Sequence, residues 1–331
     1  MPLNRRTVLL AGLGGVAALS ACGSEDEAPA AQDPTSGAGE AFPATVGTKF
    51  GDVVVESAPT RVVALGWGDA ETALALGVQP VGASDWLAFG GEGVGPWAEG
   101  LYDQAPEIVG TLEPSYEAIA ALRPDLILDV KSSGDQERYD KLSQIATTVG
   151  VPEGGDSYLI TTQAQVTMIA TALGRLPEGQ ALLDGIDQAF AAAAEAHPQW
   201  AGKTATAASR TSRGWGAYVE GSERVGFLEN LGFVQNPAVA ALPVGETGFS
   251  IDISAEELPV VDGDLVVVFP IGVDAADITS DPVWQAVPAV ADGRAIVLER
   301  DVSSAYSLAG ALSTKYALEK MVPLLEQALP A

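Results

Sequence analysis

Apolar and polar positions along the chain switch between two periods, and the switching occurs twice. Arg61-Val62-Val63-Ala64-Leu65-Gly66 is a short β-branched apolar run bounded by charge and glycine, the pattern of a buried strand. Asp69 to Leu76 follows with helical spacing, and Pro80-Val81-Gly82-Ala83 reads as a second strand. Glu113 to Leu122 is predicted helical, Asp125 to Asp129 a third strand, and Tyr139 to Ala146 another helix. From Gln163 to His197 the chain is nearly all helix, interrupted at Leu176-Pro177. The alternation then restarts, with strands at Thr204 to Ser209 and Tyr218-Val219 and a helix from Arg224 to Leu231. Strands at Leu265 to Phe269 and Ala295 to Leu298 and a helix from Leu308 to Leu329 complete it. This predicts an α/β protein of two Rossmann-like lobes bridged by a long rigid helix, with a cleft between the lobes. Ligands collect in such clefts, outside the carboxyl ends of strands.

The halves share a spaced pattern. Glu117 stands eight residues before Asp125 in YEAIAALRPDLIL, and Glu256 eight before Asp264 in EELPVVDGDLVVV. Upstream lie Leu76-Gly77-Val78 and Leu231-Gly232-Phe233, each a helix ending on glycine. First-turn acids commonly complement helix dipoles, but the matched offsets predict a repeat of whole lobes.

The first residues read as an address. Arg5 and Arg6 precede a charge-free apolar stretch, Val8 to Leu19, too short for the roughly 20 residues of a membrane-spanning helix. Leu19-Ser20-Ala21-Cys22 then resembles the lipobox of bacterial lipoproteins, which makes Cys22 the expected lipidation site. The Arg-Arg pair fits export by the twin-arginine or the Sec route. Residues 22–41, rich in Ala, Pro, Gly and acids, read as a flexible tether after the signal peptide of residues 1–21. The expected organisation beyond it is an N-terminal lobe at 42–160, a helical connection at 161–198 and a C-terminal lobe at 199–331.

Charge and rare residues narrow the function. Lys and Arg number 17 against 44 Asp and Glu, a net charge of −27, which repels phosphate backbones and argues against nucleic acid. One Cys and one His leave no intrachain disulfide and no Cys/His zinc cluster. His197, before Pro198, reads as a helix-end residue rather than a catalytic base.

RVVALGWGDAETALALGVQPVGASDW, ALRPDLIL, YDKLSQIA, FLENLGF, DPVWQAVPAVADGRAIVL and LSTKYALEKMVPLL, following a lipobox, resemble a bacterial ferric-siderophore substrate-binding lipoprotein. That group of ABC-importer binding proteins also holds cobalamin- and haem-binding members. The resemblance covers nearly all of the chain after the tether. It implies the class III periplasmic-binding-protein fold, modest lobe closure, no catalysis, and delivery to a permease with a cytoplasmic ATPase. It also implies a monomer held by its lipid at the outer face of the cytoplasmic membrane. Glu117 and Glu256 match the family's two permease-docking glutamates, with Glu257 the nearest competitor for the second. Physically, two exposed carboxylates a lobe apart can grip two arginine patches.

Strand ends nominate the ligand contacts. Trp67 follows the first strand, Trp86 the second and Lys131 the third; Arg210, Arg213, Trp215 and Tyr218 follow the first strand of the second lobe, and Tyr306 a later one. Trp and Tyr offer apolar faces with polar tips, and Arg a planar donor fork for carbonyl or hydroxamate oxygens. Trp97 and Trp284 read as packing residues. A set this aromatic favours a hydroxamate or mixed-type ferric siderophore over a trianionic catecholate. Iron would arrive already chelated, with no protein ligand to the metal and no cofactor. Cobalamin, haem or another metal chelate on the same fold is the alternative, and a carboxylate-dependent hydrolase is more remote, since it needs two converging acids.

Overall fold

The computed structural model of the chain describes residues 41–245 and 248–330. The leader, Cys22 and most of the tether lie outside them. The first described elements form a hairpin, β1 (Ala44–Thr48) with β2 (Gly51–Val55), which the sequence reading did not anticipate. The first lobe follows as β3 (Val62–Ala64), α1 (Asp69–Ala75), β4 (Gly82–Ala83), β5 (Glu107–Ile108), α2 (Tyr116–Ala121), β6 (Leu126–Leu128), α3 (Gln136–Ser143) and β7 (Thr147–Val149). Its sheet is wholly parallel, in the order β5-β4-β3-β6-β7. Every residue of β3 and β6 is buried, so both faces are covered and the strands read as unbroken apolar runs.

The connection is two helices, α4 (Thr162–Ala172) and α5 (Leu176–Ala196), broken at Gly174, whose φ of 65° suits glycine. Val166 of α4 belongs to the core of the second lobe, whereas Ile169 and Leu173 belong to that of the first, so this helix joins the two cores.

The second lobe holds β8 (Thr204–Thr211), β9 (Gly214–Tyr218), α6 (Glu223–Asn230), β10 (Val234–Gln235), α7 (Pro237–Ala240), β11 (Ser250–Ile253) and β12 (Leu265–Ile271). Short helices α8 (Ala275–Thr279), α9 (Pro282–Gln285) and α10 (Pro288–Ala291) precede β13 (Ala295–Val297), α11 (Arg300–Leu308) and α12 (Ala311–Ala328). β8 pairs in parallel with β10 and β12, and β12 with β13, repeating the β4-β3-β6-β7 order of the first lobe. β9 and β11 add antiparallel strands beyond the far end of β8.

The repeated Asp residues make the same clasp in both lobes. The Asp125 carboxylate accepts from Thr60 N–H and Oγ1 at 2.8 and 2.7 Å and from Arg61 N–H at 2.9 Å, pinning the start of β3 to β6. Asp264 accepts from Thr204 N–H and Oγ1 at 2.8 and 2.9 Å, pinning β8 to β12. The helix stops match as well: Val78 N–H donates to Ala73 O and Phe233 N–H to Leu228 O, each around a glycine of positive φ, Gly77 and Gly232.

Candidate ligand-binding cleft

A cavity of about 640 Å³ opens between the lobes, where the carboxyl ends of strands from both sheets converge. The first lobe contributes Trp67 after β3, Trp86 after β4, Lys131 after β6, and the Ser157–Ile160 segment. The second contributes Tyr218 at the end of β9, Glu223 and Arg224 at the start of α6, Pro270 to Gly272 at the end of β12, and serines of α11.

Backbone contacts hold the aromatic wall rigid. Trp67 Nε1 donates to Leu308 O and Trp86 Nε1 to Leu65 O, both at 2.9 Å, so each indole has its polar tip satisfied and its faces left for packing. Their rings lie 5.5 Å apart, and Trp86 meets Tyr158 edge-on at 5.4 Å. Ser157 and Tyr158 are consecutive non-glycine residues at φ 58° and 66°, held by N–H groups donating to Ser133 O and Ser132 O. Left-handed backbone at two adjacent side chains is costly and clusters at functional sites. Arg138 fixes a further stretch of the rim. It pairs with Asp129 at 2.7 Å in a buried bridge and donates to Thr111 O and Leu112 O.

The charges here are few and distinctive. Lys131 is 4% exposed, and among the described residues its ammonium has no hydrogen-bond acceptor and no ion pair. Burial pushes its pKa below the usual ammonium range; nearby Glu223 opposes that shift and Arg224 adds to it. Arg224 donates to Ser307 O and Oγ and lies 4.9 Å from the Tyr218 ring, with its Nε buried and unpartnered. The Glu223 carboxylate accepts from Thr162 Oγ1 at 2.8 Å at the start of α4.

Of the eight expected contact residues, four line this cleft: Trp67, Trp86, Lys131 and Tyr218. The other four do not. β8 runs into β9 through a tight turn at Ser212-Arg213, so Arg213 sits exposed at a hairpin tip rather than in a cleft loop. Trp215 lies three residues from Tyr218 on one strand and therefore on the opposite face, in the core behind the sheet, stacked on Trp284 at 5.4 Å. Arg210 covers that same Trp215 ring at 5.3 Å. Tyr306 is 1% exposed in the second-lobe core, its hydroxyl donating to Arg224 O at 2.7 Å. Tyr306 lies within α11 (Arg300–Leu308), which follows β13. The residues missed include Tyr158, Glu223, Arg224, Phe249 and Ser307. None directly follows a strand of the regular alternation, and only the rule that helix N-termini face such clefts points to Glu223 and Arg224.

His197 caps the end of α5, stacked on Trp200 at 4.0 Å, away from the cleft lining. Glu117, in the first turn of α2, and Glu256, in a surface turn, are exposed and unpartnered among the described residues. Glu257 instead accepts from Ser254 Oγ at 2.8 Å.

Residues 62–302 match the periplasmic binding protein family over its two-lobed body. The chain belongs to this family. Among curated relatives of this periplasmic binding protein, the one named "Probable siderophore-binding lipoprotein YfiY" of Bacillus subtilis (strain 168) is 28% identical over 304 residues, 87% of this chain and 89% of that one. FecB of Escherichia coli (strain K12), the Fe(3+) dicitrate-binding periplasmic protein, is 33% identical over 151 residues, 44% of this chain and 47% of FecB. Among solved structures, a periplasmic solute binding protein of Mycobacterium smegmatis matches with a TM-score of 0.75 at 28% identity, covering 86% of this chain and 98% of that one. Streptococcus pneumoniae TIGR4 PiaA, solved in complex with ferrichrome, matches with a TM-score of 0.72 at 27% identity over the same shares.

Proposed function

We propose that this binding protein captures a ferric siderophore of the hydroxamate or mixed type and delivers it to an ABC permease for iron uptake. The observation that carries the reading is the inter-lobe cleft, an aromatic wall of Trp67, Trp86, Tyr158 and Tyr218 facing a small set of cations. Flat apolar faces suit the organic envelope of an iron chelate, and the cations suit its oxygen-rich surface. Iron arrives already chelated, and the protein supplies no ligand to it. The carboxylate-dependent hydrolase alternative calls for two converging acids, and the lining holds one among the described residues, Glu223. The protein acts as a monomer, lipidated at Cys22 and tethered to the outer face of the cytoplasmic membrane, with Glu117 and Glu256 gripping the permease.

Radiolabelled iron uptake tests this in cells lacking the gene. Uptake from one ferric siderophore is lost on deletion and restored by the intact gene, while Cys22→Ala releases the protein from the membrane. Unchanged uptake from hydroxamate, carboxylate and catecholate chelates alike contradicts it.

A further inference from the structure

We propose that the cleft selects an anionic ferric siderophore, one that bears a carboxylate, and that the Lys131 ammonium receives that carboxylate. This rests on the ferric-siderophore reading and narrows it to a carboxylate-bearing, mixed-type chelate.

The argument starts from a contrast. The chain carries a net charge of −27, yet its cleft lining, among the described residues, holds two cations, Lys131 and Arg224, against one acid, Glu223. Glu223 forms no ion pair with either cation among the described residues, and its carboxylate is held by Thr162. Lys131 is thus a side chain more than nine-tenths buried, on the wall of the cleft, with no acceptor of its own. A largely buried ammonium that the carboxylates of Glu223, Asp69 and Glu71 attract without pairing is costly for a fold to keep. In a binding cleft that expense is offset when the partner comes with the ligand.

Arg224 repeats the theme more weakly. Ser307 occupies one of its terminal nitrogens, and its Nε is buried without an acceptor. The indole and phenol walls lower the local dielectric, which strengthens any contact between a carboxylate and these cations. A neutral trihydroxamate chelate would bury Lys131 further and leave it unpaired. A trianionic catecholate keeps its negative charge on the oxygens around the iron and has no free carboxylate to offer the ammonium. A carboxylate left free of the iron is a localised charge that one ammonium can receive.

The test compares three chelates on the purified full chain by tryptophan fluorescence: neutral ferrichrome, ferric aerobactin, whose lysine-derived carboxylates are not iron ligands, and trianionic ferric enterobactin. Wild-type protein is expected to bind ferric aerobactin about tenfold or more tightly than ferrichrome. Lys131→Gln should weaken ferric aerobactin by about tenfold while changing ferrichrome less than about twofold, and Lys131→Arg should restore part of the loss. Thermal melts check folding, Lys131→Met serves if the glutamine variant is unstable, and the wild-type ranking needs no variant at all. Ferrichrome or ferric enterobactin binding as tightly as ferric aerobactin, or equal losses for the charged and neutral chelates, overturns the proposal while leaving the ferric-siderophore reading intact. Failure of all three to bind overturns both.

Discussion

Trp67 and Trp86 present ring faces to the cleft because main-chain carbonyls already hold their N–H groups. Removing either ring should weaken ligand binding by about 1–3 kcal/mol with little change in melting temperature. Trp215→Ala should behave the other way round. Its ring is 5% exposed and stacked on Trp284, so truncation should cost about 3–5 kcal/mol of stability without removing a ligand contact, and Arg213→Ala should leave affinity unchanged. Calorimetry beside a binding titration separates the two classes. The difference was partly legible in the sequence. Residues directly after parallel strands could be placed from the alternation alone, which found Trp67, Trp86 and Lys131. Trp215 was misplaced because an antiparallel strand continued where a loop was expected. Once β9 is known, its two-residue period assigns Trp215 and Tyr218 to opposite faces.

Two kinds of carboxylate organise the elements. Asp125 and Asp264 accept backbone and hydroxyl donors at equivalent strand starts, and those bonds with Thr60, Arg61 and Thr204 hold both pKa values below the ordinary aspartate range despite partial burial. Asp69 and Glu71, on α1, are buried and form no ion pair among the described residues, although both attract the Lys131 ammonium. Glu71 accepts from Ser313 Oγ at 2.9 Å at the start of α12 and from Trp97 Nε1 at 2.5 Å, tying the first lobe to the last helix. Gly310 allows this approach, since a Cβ there would lie 2.0 Å from Glu71 Oε1; Gly310→Ala must therefore displace the carboxylate and lower the melting temperature.

Burial raises Asp69 from 3.8 to about 6, although the Gln165 side chain and Val130 N–H both donate to it. The native state then holds more protons than the unfolded one between those two values. Stability from this group is present below about pH 4 and lost as pH rises through about 6. Between pH 7.5 and 5 the gain from Asp69 should be about 1.4 kcal/mol, read as a higher melting temperature at pH 5, and Asp69→Asn should remove that share, while Glu71, also raised by burial, adds in the same direction. Asp125 and Asp264 titrate below that window and leave its sign unchanged. The sequence showed the paired Asp residues as an offset and the main strands as apolar runs. It did not reveal the β1–β2 hairpin, built from two five-residue strands rich in Gly and Thr, or α11, a nine-residue helix with few large apolar side chains.

At the scale of the molecule, the cleft and the proposed permease contacts, Glu117 and Glu256, lie on different surfaces. Replacing Glu117 and Glu256 together by alanine should abolish iron uptake while leaving ligand affinity within about twofold, because neither lines the cleft. Glu257→Ala should leave uptake intact, since Glu257 is engaged with Ser254. The two-lobed architecture was legible because each lobe repeats the same alternation, clasp and glycine stop. The full cleft was not, because it joins residues more than 200 positions apart, as in the Trp67 bond to Leu308. The most direct measurement is a titration of intrinsic tryptophan fluorescence in the full chain with ferric siderophores, ferric-free siderophores, haem and cobalamin. Saturable quenching at or below about 1 µM by a ferric siderophore, reduced in Trp67→Ala and Trp86→Ala but not in Trp215→Ala, is the predicted result. Quenching by haem or cobalamin alone, or equal binding by all three variants, would contradict the account.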